Sequence, residues 1–126
     1  MKDYRSLKVW EKAHQLACRV YTATRSFPRD EIYGLTSQMR RAGVSIPANI
    51  AEGCGRGSDP ELARFLAIAA GSVSELLYLV LLARDLGLIE EPQHRELEEH
   101  VAEVKRMISR LTQTLRSSDG AKSCKL

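Results

Sequence analysis

The chain has 126 residues, room for one domain with a core of its own and no need of a second. An apolar share of 44% and a charged share of 28% are those of an ordinary soluble protein, and 6% aromatics with few β-branched runs disfavour strands. Nineteen Lys and Arg against 16 Asp and Glu leave +3, too little by itself to argue for nucleic acid. Cys18, Cys54 and Cys124 are odd in number, widely spaced and without a leader peptide, which reads as reduced thiols in a cytoplasmic protein.

The spacing of Leu7, Trp10, Ala13, Ala17, Val20, Tyr21 and Thr24 predicts a first helix over about Leu7 to Ser26, ended by Phe27-Pro28. A short connection through Asp30, Tyr33 and Gly34 leads to a second helix from Gly34 to Arg56. Its apolar stripe is Leu35, Met39, Ala42, Ile46 and Ile50, with Val44, Ala48 and Ala51 on another side. Between them Gln38, Arg41, Ser45, Asn49, Glu52 and Arg56 form a polar line, a pattern suited to a helix contact in which each polar group needs a partner. Pro47 lacks an amide hydrogen and crowds the carbonyl of Gly43, which predicts a kink. Gly53, Gly55 and Gly57 then stop the helix.

Ser58-Asp59-Pro60-Glu61 has capping-box spacing and starts a third helix that runs to about Leu86. Between Phe65 and Ala83 its only charge is Glu75. The segment is about long enough to cross a bilayer. With Gly71, Ser72, Ser74 and Glu75 near its middle, it reads better as a helix covered by its own bundle on one side and by another subunit on the other, with no membrane involved. Ala63, Ala67, Gly71 and Glu75, four residues apart, offer a small-residue ridge to the second helix, which leaves Leu66, Val73, Leu77 and Val80 for the core or a subunit contact. A fourth helix from Glu91 or Pro92 to about Arg116 carries Leu97, Val101, Val104, Ile108, Leu111 and Leu115, acids early and bases late in keeping with its dipole. Residues 117–126 lack an apolar period and read as a disordered C-terminal tail after a domain of residues 1–116. The fold class that follows is all-α: an antiparallel up-down-up-down four-helix bundle with a kinked second helix.

With equal rise per residue, levels on the second and third helices pair where their numbers sum to about 115. Glu75 then faces Arg41 and Gly71 faces Ser45, which predicts a partly buried Arg41–Glu75 pair. The matching register on the first helix sets Tyr21 near Arg41, and His14 or Trp10 near Asn49 and Glu52. Glu11-x-x-His14 and Glu91-x-x-His94, with Glu52 and Glu75, resemble the ligand set of a di-metal bundle. Antiparallel topology puts the two pairs about 30 Å apart, so no metal site is assigned. No zinc-like cysteine spacing, catalytic triad order or phosphate loop stands out, so no cofactor is assigned either and the expectation is a protein that is not an enzyme.

Leu7-Lys8-Val9-Trp10 with Ala13, Phe27-Pro28, Glu31-Ile32-Tyr33-Gly34-Leu35, Gln38, Arg40-Arg41, the run Ser45-Ile46-Pro47-Ala48-Asn49-Ile50-Ala51-Glu52-Gly53, Gly55-Arg56, Phe65-Leu66, Ala69, Gly71-Ser72 and Glu75-Leu76 carry a family resemblance. Across nearly the whole chain except the tail, the sequence resembles the bacterial four helix bundle protein family, also called the 23S rRNA intervening-sequence protein family. The resemblance implies a homopentameric ring of four-helix bundles, with no established activity for most members. A related branch is similar to the accessory protein of diversity-generating retroelements, a basic bundle that works with a reverse transcriptase and nucleic acid. This chain departs from the family pattern with Cys54 where a bulky residue is common, Gly43 where alanine is common, and Leu77-Tyr78-Leu79 where polar residues are common.

Charge becomes informative once assigned to bundle ends. The end that holds the chain's start, the second link and the finish of the fourth helix gathers ten bases against five acids. Lys8, Lys12, Arg56, Arg64, Arg106 and Arg110 are its candidate nucleic-acid-binding residues. In a ring of parallel subunits such poles share one rim, a surface suited to phosphates. The function expected is therefore a homo-oligomeric helical-bundle assembly protein that takes RNA, DNA or a nucleic-acid enzyme on a basic rim. The competing reading is a small-ligand or metal-binding bundle that uses Arg41, Asn49 and Glu52.

Overall fold

The computed structural model describes residues 3–124, with side chains described through Ser117. Four helices make up the fold: α1, Lys8–Thr24; α2, Leu35–Gly55; α3, Asp59–Asp85; and α4, Glu91–Cys124. Short 3-10 turns at Tyr4–Ser6 and Arg29–Glu31 precede α1 and α2, and no strand occurs among the described residues. Each helix packs on its sequence neighbours, and α4 closes the bundle against α1. Cross-helix contacts fix the directions. Thr24 meets Arg40 while Ala17 lies against Gly43, Ser45 meets Ser72 while Gly53 lies against Leu62, and Lys12 meets Glu103 while Arg19 meets Glu96. Every such pair of helices is antiparallel, as short links demand.

The helix ends follow from local chemistry. Glu31 turns back so that its Oε1 accepts from the Leu35 amide at 3.1 Å, which satisfies an orphan donor at the start of α2. Ser58 Oγ accepts from the Glu61 amide at 3.3 Å with Pro60 in the first turn of α3. At the other end of α3 the Leu88 amide reaches Ala83 O and the Gly87 amide reaches Arg84 O, both at 2.9 Å, with Gly87 at φ +76°. That is a Schellman closure, and its left-handed residue is a glycine because a Cβ there is strained. Pro47 lies inside α2 and is buried. α4 continues past Arg116 as helix through Cys124: no proline follows Pro92, and an established helix extends at little cost per residue. The last two residues of the expected tail lie outside the described residues.

The core is a continuous cluster of inward stripes. Leu16 and Val20 from α1, Met39, Ile46 and Ile50 from α2, Leu66, Val73, Leu76 and Val80 from α3, and Val101, Val104 and Ile108 from α4 are each 2% exposed or less. Burial of each Leu, Ile, Val or Met contributes roughly 1.5–3 kcal/mol. Val9 and Leu16, absent from the expected α1 stripe, are core residues, whereas Tyr21 from that stripe is 41% exposed. α2 and α3 approach closely at Gly53, where an added Cβ meets Phe65 Cβ at 2.9 Å and Leu62 Cα at 3.3 Å. The signature run of α2 therefore ends in glycine because two helix backbones approach closely there.

Candidate functional site

The polar line of α2 emerges on the surface, at the seams with α1 and α3. Ser45 Oγ and Ser72 Oγ are 2.8 Å apart, one position from the expected Ser45–Gly71 match. Asn49 Nδ2 donates to Ser45 O at 2.8 Å and to Ser45 Oγ at 3.0 Å, so its amide is held by its own helix. Glu52 Oε1 accepts from Arg56 at 3.0 Å, again one turn away. These bonds engage two of the three side chains on which the small-ligand reading relied. Trp10 and His14 form no hydrogen bond to them among the described residues; the two rings stack on each other with centroids 5.1 Å apart, and Tyr4 meets Trp10 edge-on.

The expected buried Arg41–Glu75 ion pair does not form within the chain. Arg41 and Glu75 line one groove of about 490 Å³ with Gln38, Ala42, Ser45 and Ser72, yet both are exposed, and no ion pair or hydrogen bond to either occurs among the described residues. The two residues lie at the same level, and rotation about the helix axes leaves both side chains solvent-exposed along that groove rather than paired within it. The small-residue ridge is corrected for the same reason. Ala67, Gly71 and Glu75 face outward, and α2 packs instead on Leu62, Phe65 and Ser72.

A second groove of about 500 Å³ adjoins the first across the α2 ridge of Arg41 and Ser45, which line both. Tyr21, Ile32 and Val44 give it apolar walls, each more than two-fifths exposed. Arg40 is held at its edge, donating to Thr24 Oγ1 at 2.9 Å with its guanidinium 4.6 Å from the Tyr21 ring centroid. Arg41 therefore supplies the uncommitted cation of this groove. The outer side of α3 is equally bare. Ile68, Tyr78 and Leu81 are 43%, 58% and 37% exposed, and only 39% of the most apolar stretch of α3 is buried within the chain.

The six candidate bases divide into two sets. Lys12 pairs with Glu103 at 3.6 Å, Arg56 with Glu52, and Arg64 with Glu61 at 2.8 Å. Both Arg56 and Arg64 also lie over the Phe65 ring, 5.0 and 4.5 Å from its centroid. The hydrogen bond from Arg64 holds the Glu61 carboxyl below the usual glutamate range and raises the Arg64 guanidinium in turn. Lys8, Arg106 and Arg110 are exposed and have no carboxylate partner among the described residues. Lys12 opposite Glu103 and Arg19 opposite Glu96 fix the α1–α4 register, which brings Lys8 level with about residue 107, beside Arg106 and Arg110. Arg106 also shares a groove with Lys12, His100 and Glu103.

Among the described residues no three His, Cys, Asp or Glu side chains gather where a metal ion fits. His94 is buried, at 3% exposure, and among the described residues neither ring nitrogen has a hydrogen-bond partner; Glu98 Oε2 lies 3.5 Å from Nε2, within ion-pair distance but outside hydrogen-bonding geometry.

Residues 5–110 match the profile of a family described as 23S rRNA-intervening sequence protein. The fold is similar to a crystal structure from Bacteroides thetaiotaomicron, described as a protein with unknown function from the S23 ribosomal protein family. The two are 22% identical, the match covers 83% of this chain and 95% of that one, and the TM-score is 0.77. At that identity the likeness establishes the fold. No curated protein matches the chain.

Proposed function

This chain belongs to the 23S rRNA-intervening sequence protein family, and from that premise we propose that it is a non-enzymatic, cytoplasmic, homo-oligomeric assembly protein whose basic pole takes RNA or DNA. The observation that carries the nucleic-acid part is the trio Lys8, Arg106 and Arg110, exposed and unneutralised on adjoining turns of α1 and α4. A cation already held by a carboxylate gains little from a phosphate, because it must break one contact to make another. An unpaired one gains the contact and releases a counterion from the nucleic acid. One such trio is a weak anchor. A homopentamer that repeats it around a rim multiplies it, since each further contact is then intramolecular. The outer side of α3 supports the assembly part, because Ile68, Tyr78 and Leu81 are each more than a third exposed along one helix and grouped exposed apolar side chains mark interaction surfaces.

Filter binding of RNA and DNA across a salt series tests this reading. Affinity is expected to fall about tenfold or more between low and physiological salt, and the Arg106→Glu/Arg110→Glu variant is expected to lose it. Absence of binding at the lowest salt removes the nucleic-acid part. A wild-type chain that sediments as a monomer at every concentration removes the assembly part.

A further inference from the structure

We infer that the outer ridge of α3 from one copy packs into the α1–α2 groove of a second copy, so that Glu75 of one meets Arg41 of the other. The inference rests on the assembly reading above and assigns it a surface.

Three observations lead to it. The ridge and the groove are complementary in shape and character. The ridge is the projecting side of a long helix, apolar at Ile68, Tyr78 and Leu81, with Glu75 as the single charge between Phe65 and Ala83. The groove is concave and apolar at Tyr21, Ile32 and Val44, and Arg41 is its uncommitted cation. Each surface thus carries one unpaired charge of opposite sign amid apolar contacts, the arrangement that fixes register in an interface while apolar area supplies the affinity.

Second, the apolar ridge of α3 and the apolar α1–α2 groove belong to one chain yet are kept apart by α2, while Arg41 and Glu75 line the groove between α2 and α3 with no ion pair between them among the described residues. A ridge and a groove on different helices of one molecule make a head-to-tail contact, the kind that closes into rings when the rotation permits. A separate acidic partner for the groove leaves the bare ridge unexplained, whereas a second copy covers both.

Third, Gly71 lies at the centre of the ridge, one turn before Glu75. A Cβ there meets nothing within 4 Å in the chain, and its φ is ordinary, so neither packing nor backbone conformation within the protomer calls for glycine. Glycine in a helix interior lowers stability relative to alanine. Its use is understandable where another backbone comes close to the helix, as α3 itself does to Gly53. Exposed Ala67, one turn earlier, keeps the same side of the helix low.

The test is sedimentation of the full chain with four variants, folding being followed by circular dichroism. A Cβ at position 71 meets nothing within 4 Å, so Gly71→Leu is expected to keep the fold and to raise the concentration for half-assembly at least about tenfold. Arg41→Glu and Glu75→Arg are each expected to weaken assembly similarly, and the double variant to restore it. An assembled wild type whose Gly71→Leu and Arg41→Glu variants assemble unchanged overturns this inference and leaves the assembly reading standing. So does a double variant no better than the singles. A monomeric wild type overturns both, and flotation of that monomer with phosphatidylcholine vesicles identifies a bilayer as what covers the ridge.

Discussion

Gly53 and Gly71 stand on opposite sides of α3's neighbourhood: one at the seam with α2, the other on the free surface. At Gly53 a Cβ runs into Phe65 and the Leu62 backbone; at Gly71 it meets nothing. The same division runs through the polar residues. Ser45, Ser72, Asn49 and Glu52 are hydrogen-bonded at or near the seam, whereas Gln38, Arg41 and Glu75, which line the same groove from α2 and α3, have no bonded partner among the described residues. The inner seam is therefore complete in one chain, and the outer face has the composition of an interface without its second half.

The sharpest way to break the inner side is Gly53→Ala. The new methyl meets two atoms fixed by backbone, Phe65 Cβ and Leu62 Cα, and cannot be relieved by a rotamer change. A loss of about 2–3 kcal/mol is expected in a urea melt. Stability unchanged by this methyl indicates that the α2–α3 seam yields easily and that the contrast with Gly71 is not one of packing. His94 offers the opposite sign. Its two ring nitrogens are buried without a hydrogen bond among the described residues, and a buried polar group in that state costs free energy that a shape-matched apolar side chain does not. His94→Leu is expected to raise stability by about 1 kcal/mol at neutral pH; a loss of that size shows that the ring is bonded after all.

Gly43 sharpens the comparison further, since it lies on the inner side of α2 but faces α1. A Cβ there finds Val20 Cγ2 at 3.5 Å and Ala17 Cα at 3.7 Å, ordinary contact distances. Alanine fits, removes backbone freedom from the unfolded chain and suits a helix better, so Gly43→Ala is expected to gain about 0.5–1 kcal/mol in the same melt. A loss there means that α1 and α2 are as tightly packed as α2 and α3. The distances thus sort three helical glycines into one that the fold requires, one that it tolerates and one for which the isolated chain gives no reason.

Much of this fold is legible in the sequence because it depends on period and punctuation. The α4 stripe from Leu97 to Leu115, the Ser58 cap and the Gly87 stop are all local signals, and local signals fix helix ends and axial levels. The level rule even brought residues 45 and 72 together to within one position. Rotation about the helix axes is not local. It depends on how four stripes of unequal width share one core, and α3, apolar nearly all round, has no polar side to set its angle. Hence Ala67, Gly71 and Glu75 face outward although their spacing suits a seam, and Arg41 and Glu75 share a level without touching. Only part of the split among the candidate bases is hidden, since the Arg56–Glu52 and Arg64–Glu61 pairs are one turn apart in the sequence. Lys12 and Glu103 lie on different helices, so only the α1–α4 register reveals that Lys12 is paired while Arg106 is not.

Glu75→Gln gives the smallest expected effect and separates the two faces most cleanly. A buried Arg41–Glu75 pair within the chain predicts a loss of about 3 kcal/mol on neutralising one partner, because the other charge is then stranded. In the structure both side chains are solvated and unpaired, so in a urea melt at concentrations dilute enough for a single chain the change stays within about 0.5 kcal/mol. Melts repeated at rising protein concentration then carry the information. A group that matters only between copies leaves the dilute melt unchanged and lowers the midpoint of the concentrated one relative to wild type, since assembly stabilises the folded state by mass action. A large loss in the dilute melt restores the buried pair within the chain and empties the outer face of its charge argument. Parallel curves at all concentrations leave Glu75 an ordinary solvated carboxylate and return the outer ridge of α3 to apolar contact alone.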